Sequence, residues 1–141
     1  MTRTNPTIER LRRIPLFSAC TDGELELIAS RTTEIHADAG EVLAREGRTG
    51  REFVVIVEGT AKVFVADRQV AVLGAGDFFG EVALLDNGPR TATVVADTDL
   101  VADVSSQQEF AELIEGAPTL ARTLLVGLAQ RLRAANLLLG A

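Results

Sequence analysis

Residues Phe79–Val94 read FGEVALLDNGPRTATV, and the rest of the chain is interpreted outward from this stretch. A short helix beginning at Glu81 would direct its unpaired backbone N–H groups and the positive end of its dipole at one point in space. Arg90, on the following strand, can bring a bidentate guanidinium to the same point, which suits a phosphate. Glu81 would repel a phosphate, so we expect it to accept hydrogen bonds from another group, such as a sugar hydroxyl. The stretch therefore predicts a site for phosphate and ribose, and hence for a nucleotide.

The same residues resemble the phosphate-binding cassette of cyclic nucleotide-binding domains. This family includes the bacterial catabolite activator, the regulatory subunits of protein kinase A and cyclic-nucleotide-gated channels. Its pattern is F-G-E-[LI]-A-L, a short loop and P-R-[AST]-A; here FGEVAL stands at 79–84 and PRTA at 89–92, with Val82 as a mild departure. The resemblance runs from residue 13 to the final helix. It implies a jelly-roll β-roll flanked by N-terminal and C-terminal α-helices. The catabolite activator also has a helix-turn-helix domain, and since these residues show none, we expect a stand-alone domain.

The resemblance also implies a role for each residue of the cassette. Arg90 would bind the phosphate and Glu81 the ribose 2′-hydroxyl, although Glu81 could instead be only a favourable acid in the first helical turn. Further phosphate contacts are implied for Thr91, Gly80, Val82 and Ala83, and Gly80 would also approach the ribose. The ligand would be cAMP or cGMP, bound as a ligand and not as a cofactor.

The purine base is implied to contact Val63, Val70, Thr91 and Asn136, and this assignment leaves alternatives open. Val63 and Val70 could equally be ordinary core valines. Thr91 could accept from the amino group of a syn guanine, reach the phosphate, or be a plain strand threonine. Asn136, on the last helix, could pair with either purine or be solvated. The sequence therefore does not decide between cAMP and cGMP.

The composition limits the class of protein. The 141 residues, 47% of them apolar, predict one globular domain over 1–141. A net charge of −6 argues against direct binding of nucleic acid or an anionic membrane. No apolar run approaches the roughly 18 residues of a membrane span. The single cysteine permits no internal disulfide, and we expect a cytoplasmic location.

The chain offers no residues for catalysis. His36 and Cys20 are too few and too isolated for a metal site, and no nucleophilic triad is evident. We therefore predict a protein that is not an enzyme and that holds no metal.

Hydrophobic periodicity divides the chain into three parts: N-terminal helices over 1–30, the β-roll over 31–104 with the cassette at 79–92, and C-terminal helices over 105–141. Pro6 is expected in the first turn of the first helix, and Thr21-Asp22-Gly23-Glu24 forms a capping box for the next. Strands are predicted at 53–57, 61–65 and 69–73. Ser105–Glu109 should cap a helix that ends near Gly116, and Pro118 should open the last helix.

The last helix carries more leucines than one contact needs. Apolar residues spaced alternately four and three positions apart form a seam along one face of the helix. They are Ala121, Leu125, Leu128, Leu132, Ala135 and Leu139. The seam alone could pack on the β-roll. Further leucines lie off the seam, at positions 120, 124, 137 and 138, and they favour a homodimer through this helix.

The sequence thus predicts a cyclic nucleotide sensor that repositions its C-terminal helix when ligand binds and acts through an effector protein. Two alternatives remain: an excised regulatory domain of a channel, transporter or enzyme, and an interaction module that no longer binds nucleotide.

Overall fold

Two four-stranded antiparallel sheets form the centre of the molecule in the computed structural model, which describes residues 6–138. The first sheet has the strand order β1-β8-β3-β6 and the second the order β2-β7-β4-β5. The strands are Thr33–Ala37 (β1), Val42–Ala44 (β2), Glu52–Glu58 (β3), Ala61–Val65 (β4), Arg68–Leu73 (β5), Phe78–Phe79 (β6), Thr93–Ala96 (β7) and Leu100–Ser106 (β8). Neighbours in each sheet are mostly distant in sequence, as in a jelly roll.

In the described part of the chain five α-helices flank the sheets, with a 3₁₀ turn at Pro15–Phe17 between the first two. The helices are Ile8–Arg12 (α1), Asp22–Ser30 (α2), Glu81–Leu85 (α3), Gln107–Gly116 (α4) and Pro118–Leu138 (α5). A mainly β fold with helices at both ends is therefore confirmed. Within residues 6–138, none of the helices combines the length and apolar character needed to cross a bilayer.

Strand β3 separates two hydrophobic cores. Phe53 and Val55 face the helices, whereas Val54 and Ile56 face the second sheet. All four are at most 5% exposed, because both faces of this strand are covered. This explains why the sequence shows an uninterrupted apolar run here and not the alternation of a half-buried strand.

The local signals for helix ends were mostly correct. Capping boxes form at Thr21 with Glu24 and at Ser106 with Glu109, and α5 begins at Pro118. One expectation about the first helix was wrong: Pro6 precedes its N-cap, Thr7, and so lies outside the first turn. In addition, β8 continues to Ser106, two residues beyond the predicted end of the β-roll, because 105 and 106 pair with β3.

Helix α5 packs by a face other than its predicted seam. Leu120 and Leu124 are at most 2% exposed and join the core beneath the helices. The seam residues Leu125 and Leu132 are instead 65% and 63% exposed. The alternative in which the seam packs on the β-roll is therefore wrong. The side chains of 137 and 138, and the whole of Leu139, lie outside the described residues.

Candidate functional site

A cavity of about 340 Å³ lies between the second sheet, α3 and α5. Its walls are largely apolar and include Val63, Ala71 and Leu73 from the hairpin of β4 and β5. One end is polar, because Glu81, Arg90, Thr91 and Arg131 all line it. An apolar recess with a few convergent polar groups is the usual form of a small-molecule site.

Gly80 allows the backbone to approach the cavity. It has a φ of +100°, which only glycine adopts without strain, and it serves as the N-cap of α3. A Cβ at this position would contact the Glu52 carbonyl oxygen and lie 2.6 Å from Arg90 Nη1. Glycine is therefore required both for the turn and for the close approach of Arg90. No side chain among the described residues caps α3, so the first N–H groups of this helix face the cavity end without such a partner.

Glu81 is a buried carboxylate with only one oxygen satisfied. Its residue exposure is 2%, and Oε1 accepts a hydrogen bond of 2.6 Å from Arg131 Nη1. Oε2 is also buried, and within residues 6–138 it has no hydrogen-bond partner. Since a buried polar atom without a partner is costly, a free acceptor here indicates a place for a donor from outside the chain.

Arg90 presents the complementary group. It is 8% exposed, and its Nη1 is buried without a partner in the part of the chain that the structure describes. Burial lowers the pKa of the Arg90 guanidinium, and the nearby carboxylates of Glu52 and Glu81 partly offset this effect. Backbone bonds hold Arg90 on both sides, from its N–H to Arg48 O at 2.7 Å and from Gly47 N to its carbonyl at 2.9 Å.

Among the described residues, the site thus offers a buried guanidinium with one unpaired nitrogen beside a buried, half-satisfied carboxylate. A ligand that carries both an anionic group and a hydroxyl donor would satisfy both of these at once. An anion without a donor group would leave Glu81 Oε2 unsatisfied, and a neutral polyol would leave the charge of Arg90 without a counter-charge.

Two of the four residues predicted to contact a base lie on the cavity wall, and two do not. Val63 and Thr91 line the cavity. Val70 does not, since its side chain is 54% exposed and the adjacent Ala71 faces the cavity instead. Successive residues of a strand point to opposite faces of the sheet. The prediction for Val70 was wrong because it placed Val70, and not its neighbour Ala71, on the face of β5 that lines the cavity. Asn136 is exposed and does not line the cavity, so its contact with a base stays a prediction.

Arg131 is the residue of α5 that lines the cavity within the described residues, and it was not predicted from the sequence. Besides its ion pair with Glu81, its guanidinium lies 5.2 Å from the centre of the Phe78 ring. A charged residue between the seam leucines 128 and 132 was the available signal. Periodicity alone does not reveal which residue of the helix lies opposite the cassette.

The described residues contain no cluster of three or more His, Cys, Asp or Glu side chains that could hold a metal ion. Cys20 is buried, and burial together with the charge of Glu24 raises its pKa to about 11. The cysteine is therefore protonated at neutral pH and is poorly suited to act as a nucleophile.

Comparison with known proteins gives a consistent result. The sequence model of the family described as "Cyclic nucleotide-binding domain" matches residues 34–117. The chain is 33% identical over 130 residues to the cyclic AMP receptor protein of Thermus thermophilus, covering 87% of this chain and 59% of that protein. It is 33% identical over 104 residues to a cAMP-dependent protein kinase regulatory subunit of Hypocrea atroviridis, covering 74% of this chain and 22% of that protein. The chain therefore spans only part of the length of these relatives.

Solved structures agree with the sequence comparisons. The crystal structure of the Thermus thermophilus catabolite activator protein superposes with a TM-score of 0.83 at 31% identity. The match covers 89% of this chain and 62% of that one.

Proposed function

The chain belongs to the cyclic nucleotide-binding domain family, and we propose that it binds a 3′,5′-cyclic purine nucleotide, cAMP or cGMP, as a sensor. The observation that carries this proposal is the pair of unsatisfied buried atoms, Glu81 Oε2 and Arg90 Nη1, within the described residues. A cyclic nucleotide supplies both missing partners, because its phosphate is anionic and its ribose keeps a free 2′-hydroxyl.

The phosphate is assigned to Arg90 and to the amides at the start of α3. Arg90 Nη1 adjoins Gly80, so the anion would lie where the guanidinium and the N–H groups of Gly80, Val82 and Ala83 converge. The Thr91 hydroxyl, which also lines the cavity, is a further candidate donor to the phosphate. Because Arg90 is buried, its charge-assisted bonds would replace hydration that the phosphate loses on binding.

The ribose 2′-hydroxyl is assigned to Glu81. Because Arg131 occupies Oε1 only, Oε2 can accept from the hydroxyl while the ion pair stays formed. Arg131 would then orient the carboxylate and need not leave when the ligand enters. The base would lie against the apolar wall that includes Val63, Ala71 and Leu73.

The nucleotide is bound without being converted. The cavity lining contains no histidine or cysteine and no pair of carboxylates, which are the groups expected for acid–base or nucleophilic chemistry. This proposal makes the protein a regulatory module.

The structural change that reports ligand binding is assigned to α5. Its side chains from 129 to 136 are exposed, and Arg131 gives this half of the helix a polar link to the cassette through Glu81. A ligand moves the helix only to the extent that it binds the two helix positions with different affinity. Glu81 touches both the proposed ribose position and α5, so it can provide that difference.

The exposed seam of α5 is assigned to a homodimer. Leu125 and Leu132 are 65% and 63% exposed, so charges placed there would disturb the interface but not the core. We expect Leu125→Glu with Leu132→Glu to be a monomer by light scattering, with the wild type a dimer. A wild type that is monomeric at all concentrations, with and without nucleotide, would refute the dimer.

The proposal is tested with cAMP and 2′-deoxy-cAMP on wild type and Glu81→Ala. If Glu81 reads the hydroxyl, wild type should prefer cAMP by about tenfold or more, since a hydrogen bond to a charged group contributes roughly 1.5–3 kcal/mol. Glu81→Ala should bind both ligands weakly and with similar affinity. If wild type and Glu81→Ala prefer cAMP over 2′-deoxy-cAMP by the same factor, Glu81 does not contact the hydroxyl. The matched control is Glu26→Ala, which alters an acid outside the cavity lining.

A further inference from the structure

A second cavity, of about 420 Å³, adjoins the nucleotide cavity, and Arg90 lines both. Three more arginines line it, Arg45, Arg48 and Arg51, all from the segment that joins β2 to β3. We refer to this cavity as the arginine cleft. Glu52 is the one acidic residue on its wall.

The charge of the arginine cleft is opposite to that of the chain. The protein has 14 basic and 20 acidic residues, for a net charge of −6, yet the cleft places four arginines against one glutamate. Several arginines elsewhere pair with carboxylates, namely Arg10, Arg12, Arg31 and Arg131. Within residues 6–138, by contrast, Arg45, Arg48 and Arg51 make no ion pair. Four arginines that outnumber the one glutamate on the wall repel one another, so the cleft favours an external anion.

The segment that carries these arginines is held in place by Arg90. Gly47 N donates to Arg90 O at 2.9 Å, and Arg90 N donates to Arg48 O at 2.7 Å. Gly50 packs directly on the Arg90 side chain, because a Cβ there would lie 2.6 Å from its Cδ and Nε. The backbone of the cleft is therefore fixed before any ligand arrives, which lowers the ordering cost of binding.

We propose that the arginine cleft is a second anion site, which takes a phosphate or pyrophosphate group. A phosphoryl group suits it better than a carboxylate does. It carries up to two negative charges and at least three acceptor oxygens, so it can serve two or three guanidinium forks, whereas one carboxylate satisfies a single fork. The group could belong to free pyrophosphate or to a nucleoside triphosphate.

Because Arg90 lines both cavities, an anion in the cleft and one in the nucleotide cavity share one cation. Their repulsion is expected to make each anion weaken the binding of the other, and by linkage the two effects are equal. The anion site itself does not depend on the proposed nucleotide function, since it can be measured with no cyclic nucleotide present.

The test is calorimetric titration of inorganic phosphate, pyrophosphate and ATP into four proteins. These are wild type, a cleft variant (Arg45→Gln, Arg48→Gln, Arg51→Gln), a charge-matched control (Arg13→Gln, Arg68→Gln, Arg133→Gln) and Thr91→Glu. The control removes three exposed arginines that do not line the cleft. Thr91→Glu places a carboxylate in the nucleotide cavity, where it repels an anion from the cassette. Circular dichroism checks folding, and Arg→Lys at the three cleft positions keeps the charge should the glutamine variant not fold.

We expect pyrophosphate to bind wild type and the charge-matched control with affinities within about threefold, and the cleft variant at least about tenfold more weakly. Thr91→Glu should still bind pyrophosphate saturably and more tightly than the cleft variant does, although more weakly than wild type, because its carboxylate acts on the shared Arg90. The affinity of the lysine variant for pyrophosphate should lie between those of wild type and the cleft variant, because lysine keeps the charge but lacks the guanidinium fork. Tighter binding of ATP than of pyrophosphate would assign the phosphoryl group to a nucleotide, and equal affinities would assign it to the free anion. The proposal is overturned if wild type shows no saturable binding, if both triple variants lose affinity equally, or if Thr91→Glu alone abolishes binding, since the anion then lies in the cassette.

Discussion

Arg131→Met tests the link between the cassette and α5. The substitution removes a 2.6 Å charged hydrogen bond to Glu81 and the cation over the Phe78 ring, while keeping a long apolar side chain. Such a hydrogen bond contributes roughly 1.5–3 kcal/mol when buried. Because the Arg131 side chain is 56% exposed, we discount it for solvent screening to about 1 kcal/mol. The cation over the ring adds about 0.5–1 kcal/mol.

The sum, about 1.5–2 kcal/mol, corresponds to a tenfold to thirtyfold change in the local opening equilibrium of α5. Native-state hydrogen exchange should therefore report a loss of protection of this size at the amides of residues 125–136. Arg133→Met is the matched control, since Arg133 is exposed on the same helix and makes no ion pair within residues 6–138. Equal protection in the two variants would refute the assignment of Arg131 as the link.

Three further predictions concern the cassette and the helix ends. Arg90→Leu should weaken cAMP binding by on the order of a hundredfold with the fold retained by circular dichroism, because about 3 kcal/mol of charge-assisted contact is lost; binding within about threefold of wild type would place the phosphate elsewhere. Thr91→Ala should cost cGMP more than cAMP, by about 0.5–1.5 kcal/mol in calorimetry, if its hydroxyl accepts from the guanine amino group; equal losses would assign it to the phosphate or to neither. Glu24→Gln should destabilise the protein by about 1 kcal/mol in urea at pH 7 and by less at pH 3, and a difference that does not change with pH would contradict this reasoning.

The pH dependence in the last of these predictions follows from the surroundings of Glu24. Burial raises the pKa of this carboxyl, but hydrogen bonds from Thr21 and Thr119 outweigh burial and bring the pKa below its usual 4.5. A lowered folded-state pKa stabilises the protein above the unfolded pKa, and the contribution is lost as the pH falls through the folded value. Since Glu24 Oε2 accepts from Thr119 N at 2.8 Å, the same loss loosens the start of α5.

Local signals in the sequence were sufficient for three of the strands, for most of the helix ends and for the start of the cassette helix. Both capping boxes, the strand Ala61–Val65 and the helix beginning at Glu81 lie where side-chain chemistry and spacing placed them. These features depend on residues within a few positions of one another, so one sequence contains enough information.

Features that depend on distant parts of the chain were harder to predict. The face of the sheet to which Val70 points depends on how β5 pairs with β4. The register of this pairing shifts between Val63 and Phe64 of β4. The choice of Arg131 over Asn136 depends on how α5 crosses the cassette, and the periodicity of the helix does not encode this. The face by which α5 packs was misjudged for a similar reason. Leu120 and Leu124 reach the core because the first turn of α5 lies beside α2, where Thr119 N donates to Glu24.

The central claim, that the chain binds a cyclic purine nucleotide without consuming it, is tested most directly by calorimetric titration of cAMP and of cGMP into the purified protein. The ligand is afterwards recovered by chromatography. We predict saturable binding at one site per chain for at least one of the two nucleotides, with the ligand recovered unchanged. The absence of binding heat at millimolar concentrations of either nucleotide, or recovery of the open 5′-monophosphate, would contradict it.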